Sequence, residues 1–306
     1  MESRLRNITA VTETIIITTI IITETARTEK LKSVSVKSYA KINLYLDALY
    51  KRKDGFTEIR TVFSEIDFYD TVNFALTKNG HVKLLTSNMD LIAEKNLIYK
   101  IANFVRNKYN VNLGVEIELV KRIPVAAGLG GGSSNAACTL LTLKELWNLD
   151  ISDKEMNEIL AGFGSDLNFF LKGGVAAGSG RGEIITPVEI DPIENILLVN
   201  PGFPVLSGDA YKAVSEYGET KNWSMFLETG NPEYSFNALE KGVCFKYPEI
   251  KEILNALDKC GAIKSMLSGS GATVIGFFPD LNTAKEAELL FKRKKYWTYI
   301  TRTKKR

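Results

Sequence analysis

Between Pro124 and Ala137 the chain reads Pro-Val-Ala-Ala-Gly-Leu-Gly-Gly-Gly-Ser-Ser-Asn-Ala-Ala, with two hydroxyls where a helical run begins. Gly128, Gly130, Gly131 and Gly132 admit backbone angles closed to other residues and let main-chain N–H groups approach a bulky anion. Ser133 and Ser134 open the run to Leu149, so first-turn N–H groups and the helix dipole face the same anion. Their hydroxyls can also take a phosphate oxygen or a magnesium ion. This combination suits the triphosphate of a nucleotide. A Walker loop needs Gly-Lys-Ser/Thr, and no lysine follows these glycines. A dinucleotide fingerprint could use Gly128-Leu-Gly130, but Ser133 takes the third glycine position and the preceding strand is half polar. A glycine turn without a ligand is the plain alternative, although so many glycines are costly to order.

Stepping outward from the loop, Gly114–Lys121 alternates, with Val115, Ile117 and Leu119 on one face and Glu116 and Glu118 on the other. That is the pattern of a half-buried strand in an antiparallel or mixed sheet. Strands are also expected near Ser33–Leu49, Ile59–Phe68, Thr71–Ala75 and Val82–Thr86, with turns at Asp54-Gly55 and Asn79-Gly80. Leu97, Ile101, Phe104 and Val105 give Asn96–Lys108 helical spacing, and Asp153–Phe163 reads as a helix capped by Ser152. Gly173–Gly182 is a loop or a close-packed strand. Beyond it, strands at Ile196–Val199, Ile263–Leu267 and Thr273–Phe278 mix with helices at Gly208–Glu216, Pro248–Lys259 and Leu281–Arg293. This irregular order argues for an α+β fold, divided near Pro187–Asp191. The division expected is a leader at 1–32, an N-terminal domain at 33–188 and a C-terminal domain at 189–306.

Composition narrows the chemistry. Apolar residues at 45% and charged residues at 25% are the balance of a globular chain with its own core, and the net charge of +3 selects no partner. Cys138, Cys244 and Cys260 lack metal-like spacing, so thiols in a reducing cytoplasm are expected. With His81 the only histidine, serine-type triads and histidine-rich zinc sites are excluded. The basic tail of Arg302, Lys304, Lys305 and Arg306 reads as a solvated end, with no nucleic acid implied. The Ile- and Thr-rich stretch Thr14–Thr25 has apolar runs too short and broken for a membrane span or signal peptide. It is expected to lie outside the working fold.

Pro-x3-Gly-Leu-Gly-Gly-x-Ser-Ser resembles the nucleotide loop of the GHMP kinases, which phosphorylate galactose, homoserine, mevalonate and related alcohols. The likeness runs from Ser33 to Phe278. It takes in Lys37-Ser-Tyr-Ala-Lys-Ile-Asn-Leu-Tyr-Leu46, Asp54-Gly55-Phe56, Thr61–Asp67 with Asp70, Asn96-Leu97, Gly164-Ser-Asp166, Phe169-Phe170, Gly173-Gly174 and Met266-Leu-Ser-Gly-Ser-Gly271. The resemblance implies an N-terminal domain like domain 2 of ribosomal protein S5 and a ferredoxin-like C-terminal domain, with the site in the cleft between them. It implies an ATP- and Mg2+-dependent kinase in the cytoplasm. The group of GHMP kinases most resembled acts in non-mevalonate isoprenoid precursor synthesis. Its substrate is methylerythritol linked to cytidine diphosphate, phosphorylated at the 2-hydroxyl.

Phosphoryl transfer to an alcohol needs a placed hydroxyl, neutralised phosphate charge and a route for the proton. By the resemblance Asp166 is the catalytic aspartate and Lys41 the partner that keeps it ionised. Asn43 shares Lys41's strand face and is implied to bind the polyol. The nucleotide falls to Lys95, Asn96, Leu97, Pro124 and the loop Gly128, Leu129, Gly130, Gly131, Gly132, Ser133 and Ser134, with Ser134 also near magnesium. Ser268 and Gly269 supply a second close-approach loop. Asp54-Gly-Phe-Thr57 departs from the family's Asp-Gly-Tyr-His. Phe56 keeps a stacking face for cytosine, whereas Thr57 replaces an imidazole with a shorter hydroxyl. Asn168 stands where the family has proline. A GHMP kinase for a different alcohol and a nucleotide-binding relative without catalysis are the alternatives.

Overall fold

The computed structural model describes residues 32–86 and 93–305. The expectation for 1–32 therefore falls, but for Lys32, outside the described residues. Two long strands, β1 (Ser33–Lys51) and β2 (Thr57–Thr77), form the antiparallel spine of the first sheet. β3 (Val82–Thr86) and β4 (Gly114–Val120) extend it beyond β2. β5 (Val175–Gly180) also pairs with β2, at the end of that strand near Thr57, and β6 (Ile184–Pro187) pairs with β5. The second sheet is antiparallel, in the order β11 (Trp297–Thr301), β7 (Ile196–Asn200), β10 (Val274–Phe277), β9 (Lys264–Leu267). A two-residue strand, β8 (Phe236–Asn237), leaves the second half of the chain to pair with β1.

Alternation along the strands stacks these sheets. Ile196 and Leu198 of β7 and Ile275 and Phe277 of β10 pack with Ala40, Ile42 and Leu44 of β1, so one apolar layer lies between the sheets. Leu197, Val199 and Val274 face the other way. There they meet α7 (Glu240–Lys246), α8 (Pro248–Lys259) and α9 (Leu281–Arg293). The far side of the first sheet is covered by α1 (Leu97–Lys108), α2 (Gly131–Leu146) and α3 (Asp153–Ala161), through residues such as Ile101, Leu140 and Leu160. Helix, sheet, sheet, helix is an α+β arrangement. Because β1 is covered on both faces, its burial is continuous from Ser38 to Ala48, polar residues included.

Some elements differ from expectation. Ile59–Phe68 and Thr71–Ala75 are parts of one strand, because Asp70, which looks like a break, is buried and fully bonded. Gly173–Gly182, by contrast, holds the close-packed strand that was one of its two expected forms: it contains β5, where a Cβ on Gly178 would stand 2.7 Å from the Phe63 ring. The helix expected to reach Glu216 ends early, as α5 (Ser207–Lys212). The short α4 (Phe169–Lys172) and α6 (Asn222–Thr229) carry too little periodicity to be read in advance. The tail is not a free end: Thr303 bridges to Ile66 and the Lys304 N–H donates to the Glu65 carbonyl at 2.9 Å. Among the described residues no helix is long and apolar enough to cross a membrane.

Candidate active site

A cavity of about 720 Å³ opens where the phosphate loop, β1 and α5 meet. Gly130, in a left-handed conformation at φ 66°, caps α2, so the helix starts at Gly131 rather than at the serines. A Cβ on Gly130 would meet Lys41 Cγ at 2.8 Å, so only glycine lets the loop lie against β1. Gly128, Gly130, Gly131, Gly132 and Ser133 line the cavity, as does Pro124. First-turn N–H groups at this helix end are without intrahelical partners. Leu129 is buried in the apolar layer, and its carbonyl accepts from the Lys41 N–H at 3.0 Å.

Ser134 does not belong to this wall. Its hydroxyl pairs with Ser38 Oγ at 2.7 Å inside the fold, because one helical step turns it from Ser133's outward face towards β1. The metal role expected of Ser134 is therefore not supported by its position. Lys95 is exposed and off the wall, while Asn96 and Leu97 are on it. Asn96 Oδ1 caps α1 by accepting from the Ile98 N–H at 3.0 Å. Ser268 is buried and donates to the Gly128 carbonyl at 3.3 Å, leaving Gly269 and Ser270 to face the cavity.

Behind the loop lies a group that sequence reading noted only as a motif position. Asp70 Oδ1 accepts the N–H groups of Arg122 and Ile123 at 2.7 and 2.8 Å. Its Oδ2 accepts from Lys121 Nζ at 2.7 Å and Asn135 Nδ2 at 3.0 Å. One buried carboxylate thus ties the chain entering the loop to the helix leaving it. Burial pulls the Lys121 ammonium below the usual lysine range, and Asp70 opposes that.

At the centre of the cavity Lys41 is buried under the loop. Its Nζ donates to Asn43 Oδ1 at 2.7 Å and to the Gly128 carbonyl at 3.2 Å, and stands 3.7 Å from Asp166 Oδ2. The last is an ion pair rather than a hydrogen bond. Asn43 is fixed in turn by donating to Thr61 Oγ1 at 2.8 Å. Burial lowers the Lys41 pKa, and the Asp166 charge works against it. Asp166, 40% exposed in the turn before α4, is the one carboxylate among the described residues lining the cavity. Around it stand Lys41, Lys51, Lys121, Arg181 and Lys212. Such an excess of cations suits a polyanion.

The β1–β2 turn forms the other end. Phe56 is 48% exposed on the cavity wall, and the Arg181 guanidinium lies 4.6 Å from its ring centroid. Thr57 is buried beside it, with Oγ1 accepting from Lys51 Nζ at 3.1 Å. Tyr211 of α5 also lines the cavity; burial, then the Asp166 charge, pushes its hydroxyl pKa up. Lys51, Arg181 and Tyr211 were not anticipated. Lys51 and Arg181 lie at strand ends and Tyr211 on a short helix, so only the chain's path reveals their convergence.

Comparison with known proteins fits this geometry. Residues 96–174 match the GHMP kinases N terminal domain, and residues 225–295 match the GHMP kinases C terminal domain. A 4-diphosphocytidyl-2-C-methyl-D-erythritol kinase of Thermodesulfovibrio yellowstonii is 37% identical, the match covering 88% of this chain and 98% of that protein. One from Caldanaerobacter subterraneus is 39% identical, with coverages of 80% and 88%. The crystal structure of a 4-(cytidine 5'-diphospho)-2C-methyl-D-erythritol kinase superposes with a TM-score of 0.76 at 28% identity, covering 89% of this chain and all of that one. Homoserine kinase from Cytophaga hutchinsonii, at 15% identity and a TM-score of 0.68 with coverages of 92% and 97%, shares the fold. On these matches, the chain belongs to the 4-diphosphocytidyl-2-C-methyl-D-erythritol kinase family of GHMP kinases.

Proposed function

We propose that this protein transfers the γ-phosphoryl group of ATP to the 2-hydroxyl of 4-diphosphocytidyl-2-C-methyl-D-erythritol, a step of isoprenoid precursor synthesis in the cytoplasm. The observation that carries the reading is the position of Lys41. It touches the phosphate-loop carbonyl of Gly128 and the carboxylate of Asp166 with one ammonium group. Glycine N–H groups and the start of α2 would hold the triphosphate, with Asn96 and Leu97 on the nucleoside side. Asp166 takes the hydroxyl proton as the alcohol oxygen bonds to phosphorus and the bond to ADP breaks. Lys41 pairs with Asp166 and offsets charge on the attacking oxygen, while Asn43 orients the polyol. Asp166 together with the nucleotide's own phosphates fits a magnesium ion, which usually takes one or two carboxylates and phosphate oxygens. Bound there, the ion would neutralise phosphate charge. The ring faces of Phe56 and Tyr211 suit the cytosine.

The test is ADP release from the purified protein with ATP, magnesium and the cytidylated substrate, set beside Asp166→Ala. Release that depends on the substrate and disappears in the variant, with ATP still bound, supports the reading. Turnover untouched by the substitution would sink the role of Asp166. The Lys51–Thr57 pair favours one second reading, a GHMP kinase for a different alcohol, because it offers hydroxyl and ammonium donors in place of an imidazole edge. Faster turnover of polyols without cytidine would select it.

A further inference from the structure

The turn between β5 and β6 lies between the Phe56 end of the cavity and Asp166 at its centre. Arg181 lies over the Phe56 ring, and a Cβ on the next residue, Gly182, would stand 3.2 Å from Asp166 Oδ1. Consecutive residues therefore lie beside the stacking ring and beside the reacting carboxylate. The turn is bent by Gly180 and Gly182, at φ 72° and 107°. It is held in place by the Gly180 N–H on Glu58 Oε1 at 3.0 Å and the Arg181 N–H on Glu183 Oε2 at 2.5 Å. Arg181 spends only Nε on Glu183 Oε1, at 3.4 Å. Among the described residues, no hydrogen bond or ion pair takes up its two terminal nitrogens.

From this we infer that Arg181 is a specificity-determining residue that grips the diphosphate linking the nucleoside to the polyol. The inference rests on the proposed function. With the base on Phe56 and the hydroxyl at Asp166, the linker between them must pass along this turn. A guanidinium presents a planar fork to phosphate oxygens and pairs with them through two parallel hydrogen bonds. Here the fork is half-buried and already oriented by the ring beneath it, so little side-chain freedom is lost on binding. Lys51, beside Thr57, adds a second cation at the same end. A guanidinium that only propped the ring would have no preference for phosphorylated ligands.

The experiment compares wild type with Arg181→Gln and Arg181→Lys, as full-length proteins. With the cytidylated substrate varied, Arg181→Gln should raise KM by about ten- to a hundredfold, with kcat and the KM for ATP unchanged. Arg181→Lys should fall between, keeping the charge and losing the fork. Calorimetry should show wild type binding cytidine diphosphate more tightly than cytidine, and Arg181→Gln losing that margin. An unchanged KM, or equal weakening of cytidine diphosphate and cytidine, would overturn the inference. If wild type fails to turn over the substrate, the proposed function fails separately. Calorimetry still decides on Arg181, since wild type binding cytidine diphosphate no better than cytidine overturns its role.

Discussion

Lys41 carries its charge where water is excluded, and the proposed chemistry depends on its keeping that charge. Burial lowers its pKa from the ordinary 10.5, and Asp166 counters the effect. As pH rises through the lowered value the ammonium loses its proton, so activity should fall with an alkaline limb below 10.5. Rate against pH measures this directly, and a midpoint at or above the ordinary lysine value would contradict it. Asp166→Asn removes the opposing charge. Lys41, followed by NMR, should then titrate lower still, while kcat drops by about 10²- to 10⁴-fold. A side chain's place on the cavity wall was legible where it sits on a long strand or in a motif, as with Lys41, Asn43, Phe56 and Asp166. It was not legible where one step around a helix decides the direction, which is why Ser133 rather than Ser134 reaches the cavity.

At the scale of elements, the phosphate loop depends on contacts outside its own sequence. Asp70 lies on β2, yet it holds the N–H groups of Arg122 and Ile123, the Lys121 ammonium and the Asn135 amide. Replacing it with alanine leaves a buried ammonium without its counter-charge and the N–H groups of Arg122 and Ile123 without their acceptor, and should cost about 3–5 kcal/mol in urea unfolding. Asp70→Leu combined with Lys121→Met removes both charges and should recover part of that loss; a double variant as unstable as Asp70→Ala would argue against the pairing. Strong elements such as α1, β4 and α8 could be read from their periodicity. β2 was read as two pieces because a polar residue inside a strand looks like a break when its buried partners are far away in sequence. α6 and α7 owe their place to packing rather than to pattern.

For the molecule as a whole, the cavity depends on how the phosphate loop meets the Ser268–Gly271 loop of the second sheet. Ser268 donates to the Gly128 carbonyl, and the Thr273 N–H donates to the Ala127 carbonyl at 3.3 Å. Gly128 is the narrowest point: it sits at φ 75°, and a Cβ there would fall 2.1 Å from the Ser268 carbonyl oxygen. Backbone on both sides leaves no flexible side chain to give way, so Gly128→Ala must push the loops apart. The expected loss is at least about 2 kcal/mol. Gly132 provides the control. A Cβ there has nothing within 4 Å, and it lies in the first turn of α2. Gly132→Ala should therefore hold or raise stability by up to about 1 kcal/mol, since alanine favours the helix. Thermal unfolding of the two variants separates a requirement for glycine at one contact from a general intolerance of side chains in this loop. Equal losses in both would mean that the loop, not its junction with the second sheet, sets the limit. A loss confined to Gly128→Ala would place the constraint where the two sheets close on the site.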